Sequence, residues 1–155
     1  MESASAYRIP KALLARSQQS SQNDREGYTN GTGQCLCGAV TFEAKDVESH
    51  VHACHCSMCR QWNGGPALAV AVGSVTFAGE ANIRRYRSSE WAERGFCKKC
   101  GSNLFYFLMP NRYIIEAGLF NEQDFKLESE IFCAGKPTWY EFAGGHPRHD
   151  GLPSD

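Results

Sequence analysis

From residue 33 onward, apolar positions fall in short runs that alternate with polar ones, separated by Gly, Pro and Asn. Residues 39–44 alternate, with Val40 and Phe42 set against Thr41 and Glu43. Side chains two apart share a face of a strand, so this pattern predicts a half-buried β-strand. Residues 50–54, 66–72, 75–77, 83–87 and 94–96 read as further strands. The clearest are 104–109 and 113–119, joined by a turn at Met109-Pro110-Asn111-Arg112, and 130–133 reads as a late one. No window carries a helical period longer than about ten residues. Residues 121–126 could form a single turn. Many short strands spaced near ten residues apart predict one all-β domain, a sandwich or an open barrel.

Residues 1–32 have a different texture. The stretch SQQSSQN at 17–23 is too polar to offset its ordering entropy, so 1–32 is expected to be a flexible tail, with at most a weak helical turn at 7–15. The domain is expected over 33–155.

Composition adds bounds. The chain has 155 residues, 42% hydrophobic and 21% charged, with a formal charge of -1. That length suits one domain. The charge gives no sign of a nucleic-acid or membrane partner. No apolar stretch is long enough to span a bilayer, and no signal-peptide core is evident, so a cytoplasmic protein is expected. In a reducing compartment, clustered cysteines bind metal more often than they form disulfides.

Seven of the eight cysteines are clustered, as Cys35-x-Cys37, Cys54-x-Cys56-x-x-Cys59 and Cys97-x-x-Cys100. A closed structural zinc site takes four protein ligands, whereas a catalytic zinc keeps three and an open position. Four and three account for all seven. Cys35 and Cys37 are expected to face one way on a strand, and Cys97 and Cys100 to form a knuckle turned at Gly101. Together they would supply a tetrathiolate that staples distant parts of the chain; tetrahedral S₄ suits zinc, or less commonly iron. Cys54, Cys56 and Cys59 could converge on a second ion. His52 alternates with Cys54, so it could close that site as a fourth ligand. An exchange of partners between clusters is also compatible with the spacing. Cys133, alone in an apolar strand, reads as a small buried hydrophobe.

Three segments together are similar to the glutathione-dependent formaldehyde-activating enzyme family, which includes centromere protein V. They are Gly33-Gln34-Cys35-Leu36-Cys37-Gly38-Ala39-Val40, Cys54-His55-Cys56-Ser57-Met58-Cys59-Arg60, and Arg94-Gly95-Phe96-Cys97-Lys98-Lys99-Cys100-Gly101-Ser102. The resemblance implies a β-tent of antiparallel sheets with zinc knuckles, as in methionine sulfoxide reductase B. It implies two zincs: a structural one on Cys35, Cys37, Cys97 and Cys100, and one at the active site on Cys54, Cys56 and Cys59. The implied activity is that of S-(hydroxymethyl)glutathione synthase, a carbon–sulfur lyase joining or cleaving a thiol and a small carbonyl such as formaldehyde. Glutathione carries two carboxylates, for which Arg60 and Arg94 are the candidate anchors, with Trp62 and Asn63 along the same rim. Two rival readings are a non-catalytic zinc module for a macromolecule, which needs a fourth ligand such as His52, and a sulfoxide reductase using Cys133.

Overall fold

A computed structural model describes residues 28–153, and for Tyr28 its backbone only. The polar stretch at 17–23 and the turn expected at 7–15 lie outside the described residues. Among the described residues nine strands occur in chain order: β1 (Tyr28–Gln34), β2 (Thr41–Glu48), β3 (His50–Cys54), β4 (Ala67–Ala78), β5 (Ile83–Arg87), β6 (Ala92–Cys97), β7 (Asn103–Leu108), β8 (Arg112–Glu116) and β9 (Lys126–Ile131). One short helix, α1 (Ser57–Asn63), separates β3 from β4. The all-β expectation holds, and pairing is antiparallel except between β3 and β9. Among the described residues no helix is long and apolar enough to cross a membrane.

The sheet runs β1-β2-β4-β8-β7-β6-β5; β3 branches from β4, and β9 pairs with β3. Strand β4 organises it. One edge pairs with β8, and the other pairs with β2 over its second half and β3 over its first. The sequence pattern suggested two strands here, broken at Gly73-Ser74. The chain instead continues through. Asp46 adopts φ 51°, and a Cβ at Gly73 would lie 2.8 Å from that of Asp46. This local coil moves the inward alternation by one on both strands: Phe42 and Ala44 give way to Val47, and Val70 and Val72 to Val75 and Phe77. The small residue therefore marks a close approach rather than an end.

Register separates the two faces of the sheet. Gly95, Phe105, Ile115 and Val70 lie in one row across β6, β7, β8 and β4. They point into the core with Phe42, Val40, Leu104 and Phe120. Gly95 is required there, because a Cβ would lie 2.2 Å from the Phe105 ring. The residues between these, Arg94, Tyr106, Ile114 and Ala71, form the adjacent row on the opposite face. Glu116, Ala69 and His52 form the next row, and Ala67 and Cys54 the last. Helix α1 lies against this second face: Trp62 stacks on Tyr86 at 6.0 Å and meets Phe96 edge-on at 5.8 Å.

Other element boundaries also moved. Strand β1 begins at Tyr28, ahead of the change in texture at residue 33. The turn expected at 121–126 sits at Ala117–Leu119 instead. The late strand ends at Ile131, and Cys133 opens a 3₁₀ turn, so it is not the strand residue expected.

Candidate metal centres and active site

The cysteines group as four and three. The sulfurs of Cys35, Cys37, Cys97 and Cys100 all lie within 4.8 Å of one another. Cys35 to Cys37 is 3.6 Å, and Cys37 to Cys97 is 3.9 Å. A tetrahedral ion about 2.3 Å from each sulfur sets them roughly 3.8 Å apart, so the donor set fits zinc. The expected strand chelate at Cys35 and Cys37 is a correction. Strand β1 stops at Gln34, and the pair sits in a turn closed by the Gly38 N–H donating to the Cys35 carbonyl at 3.0 Å, with Gly38 at φ 75°. A turn brings both sulfurs round one point while Leu36 projects into solvent, 86% exposed. The partner pair forms the expected knuckle: the Gly101 N–H donates to the Cys97 carbonyl at 2.8 Å, with Gly101 at φ 80°. Ser102 ties the two turns together, accepting from the Leu36 N–H at 3.0 Å and lying 3.2 Å from the Cys100 sulfur. Its hydroxyl and backbone N–H hold the Cys100 thiol down to about 5.

The second group, Cys54, Cys56 and Cys59, is built at a strand end and a helix start. Cys54 ends β3. Cys56 caps α1, its sulfur accepting from the Cys59 N–H at 3.4 Å, which places Cys59 one turn on and beside it. The helix is only seven residues long. Its visible sequence signals were the cap at Cys56 and Gly64, which adopts φ 73° after the last turn. All three sulfurs lie within 4.8 Å of one another, the spacing a shared metal ion needs. Among the described residues no fourth histidine, cysteine or carboxylate joins them. His52 turns elsewhere: its Nδ1 lies 2.8 Å from the Ser129 hydroxyl and its Nε2 4.0 Å from Glu48.

The trio shares its negative charge. Hydrogen bonds from the Cys54 and Cys59 thiols hold Cys56 down to about 2 against burial, and Arg94 adds its charge. Sharing hydrogen bonds with Cys56 and Cys59 pushes the Cys54 thiol far up. Arg94 is 4% exposed. Its Nη2 lies 3.8 Å from the Cys59 sulfur, and its guanidinium sits over the Tyr106 and Trp62 rings. Arg60 donates from Nε to the His55 carbonyl at 2.9 Å. Arg94 thus stands beside the trio, turned toward a sulfur rather than free at a rim, while Arg60 is fixed to the backbone between Cys54 and Cys56.

Beyond the helix lies a cavity of about 300 Å³, lined by Asn63, Pro66, Leu68, Asn103, Glu116 and Leu119 among others. Asn103 donates to the Asn63 side-chain oxygen at 2.8 Å, and the buried Asn63 Nδ2 has no partner among the described residues. Burial pushes the Glu116 carboxyl up to about 7, although Arg94 pulls the other way. Sequence reasoning missed Glu116; the one signal was a carboxylate closing the apolar run Tyr113-Ile114-Ile115.

It also missed a buried network on the other side of β3. His55 and Glu130 are both fully buried, and Nε2 lies 2.8 Å from the carboxylate. Burial opposes ionisation of Glu130, yet hydrogen bonds from Arg148, His146 and His55 hold it down to about 2. Cys133 belongs to this polar cluster, near His55 and Glu130, not to an apolar strand. Burial and the Glu130 charge raise its thiol, the opposite of what a reactive cysteine needs.

Fold and site together define a mostly antiparallel β protein with one four-cysteine and one three-cysteine cluster, each spaced so that it could hold a metal ion. The sequence profile of the glutathione-dependent formaldehyde-activating enzymes matches residues 30–135, and the chain belongs to that family. It is 35% identical over 115 residues to a fission-yeast protein (Schizosaccharomyces pombe) named as an uncharacterized lyase, covering 72% of this chain and 84% of that one. A Halomonas elongata protein provisionally named as a glutathione-dependent formaldehyde-activating enzyme is 29% identical over 85 residues, 48% of this chain and 54% of its own length.

Proposed function

We propose that the chain is a zinc-dependent carbon–sulfur lyase-type enzyme that joins or cleaves a thiol, glutathione by family resemblance, and a small carbonyl such as formaldehyde. The observation that carries this reading is the trio of Cys54, Cys56 and Cys59 with His52 held away from it. Cys54, Cys56 and Cys59 would hold the zinc, which would supply Lewis acidity to favour the thiolate form of the thiol substrate. The chain's own residues supply the rest. Arg94 adds its charge in favour of the Cys56 thiolate, which hydrogen bonds from Cys54 and Cys59 chiefly hold, and its Nη2 lies 3.8 Å from the Cys59 sulfur. Arg60, fixed through Nε, offers its outer nitrogens to a carboxylate of the thiol substrate. Joining RSH and H₂C=O to RS–CH₂–OH moves one proton from sulfur to oxygen. Glu116, which titrates near neutrality, is the group proposed to carry it. Asn63 Nδ2 is the donor proposed for the carbonyl oxygen.

Exchange NMR on glutathione, formaldehyde and their adduct tests the reading. The native protein is expected to speed interconversion, and Cys56→Ser to abolish the gain. Equal exchange with both proteins would sink it. The rival binding-module reading needs a fourth protein ligand on the second metal, and the position of His52 counts against it.

A further inference from the structure

His55 occupies the position between Cys54 and Cys56, and its side chain leaves the trio for the opposite side of the chain. Every polar group it has is engaged. Nε2 lies 2.8 Å from Glu130 Oε1, and Nδ1 lies 2.7 Å from the Tyr140 hydroxyl. The His55 backbone N–H donates to the Ile131 carbonyl at 3.0 Å, and its carbonyl accepts from Arg60. Glu130 is secured in turn. Its Oε2 accepts from His146 Nε2 at 2.6 Å and Arg148 Nε at 2.7 Å. The rings of Tyr140 and Phe142 pack on the imidazole at 5.5 and 6.0 Å. Tyr140, Phe142, His146 and Arg148 all lie beyond residue 135, where the family match ends.

Setting two sulfurs two residues apart does not need a buried imidazole and carboxylate. Such a pair is costly to bury and is retained where every member is satisfied. A site with three protein ligands also lacks the fourth that would fix its geometry, so orientation must come from groups behind the ligands. We propose that His55 is a positioning residue for the three-cysteine metal centre, locked from behind by a clamp that the C-terminal segment forms through Tyr140, His146 and Arg148. The proposal rests on reading the trio as a metal site. His55, Glu130 and Cys133 also satisfy the spacing of a metal triad. However, both ring nitrogens and both carboxylate oxygens are already engaged, and a cation would have to displace Arg148. The cluster is an anchor, not a third centre.

The test is titration of the full-length, metal-free protein with Co²⁺, following the thiolate charge-transfer and d–d bands. The native chain is expected to take two equivalents. Tyr140→Phe and His55→Ala are expected to leave the tighter, four-cysteine equivalent unchanged. They should weaken the second by about 10- to 100-fold in His55→Ala, less in Tyr140→Phe, with altered d–d bands. An unchanged second affinity and spectrum in Tyr140→Phe overturns the clamp, and this conservative variant decides the matter if His55→Ala does not fold. A third equivalent lost on Glu130→Gln would also overturn it, by making the cluster a metal site. A native chain binding one equivalent would instead remove the underlying reading, and the clamp with it.

Discussion

Arg94 Nη2 lies 3.8 Å from the Cys59 sulfur, with the buried guanidinium 5.0 Å from the Tyr106 ring centre and 5.9 Å from that of Trp62. A cation held this way disfavours protonation of the neighbouring thiolates, and protons compete with metal for the same sulfurs. In Arg94→Met, the pH at which the second metal is half released is expected to rise by roughly one unit. Release at the four-cysteine site should not move. Acid titration in the presence of a chromophoric chelator reads both events.

A metal ion on the four cysteines would tie the β1–β2 turn to the β6–β7 turn, reinforcing the hydrogen bond from the Leu36 N–H to the Ser102 hydroxyl. Zinc at such a site contributes on the order of 10 kcal/mol, comparable with the whole stability of a small domain. Cys97→Ser is therefore expected to lose native circular dichroism. Cys54→Ser should keep it while zinc content falls from about two per chain to about one. A folded Cys97→Ser protein would show that the sheet stands without its staple.

How much of this was legible in sequence follows from what each feature depends on. The cysteine spacings are local, so both groups could be read directly, and the strands from β5 to β8 were visible in their alternation. Gly73 misled because a glycine that ends a strand and one that admits Asp46 look alike along the chain. His52 shares a face with Cys54, as alternation implies. Which way its ring turns depends on Ser129, 77 residues away. Helix α1 has too few residues for a period to show. The His55 anchor was invisible because Glu130, Tyr140, His146 and Arg148 converge on it only through the fold.

Gly95 carries a prediction of its own. Its missing side chain is what lets the far end of the Phe105 ring come close against β6. In Gly95→Ala, the added carbon 2.2 Å from that ring must displace a core residue that is 2% exposed. Overpacking of this kind costs about 1–3 kcal/mol, and a rigid aromatic flanked by Phe77 and Tyr113 places it at the upper end. The urea midpoint should fall accordingly with the slope unchanged, and an unaltered midpoint would refute the packing argument.

Glu116 should leave a signature in the dependence of stability on pH. Its carboxyl titrates at about 7 in the folded chain against 4.5 for the free group, because burial disfavours the charge. Between those values the folded state holds more protons than the unfolded one, so stability falls as pH rises through the window. Below about 4.5 Glu116 costs nothing; above about 7 its full cost is present, on the order of 3 kcal/mol. Glu116→Gln removes the titration and keeps the shape. The variant is therefore expected to gain on the native protein as pH rises from 5 to 8.5, and the gain to level off above about 7. Acid release of metal affects both proteins alike and cancels in the comparison. Urea unfolding of the pair at these two pH values measures the effect. A difference independent of pH would mean that Glu116 is already ionised at pH 5, which would also disqualify it as the proton carrier near neutrality.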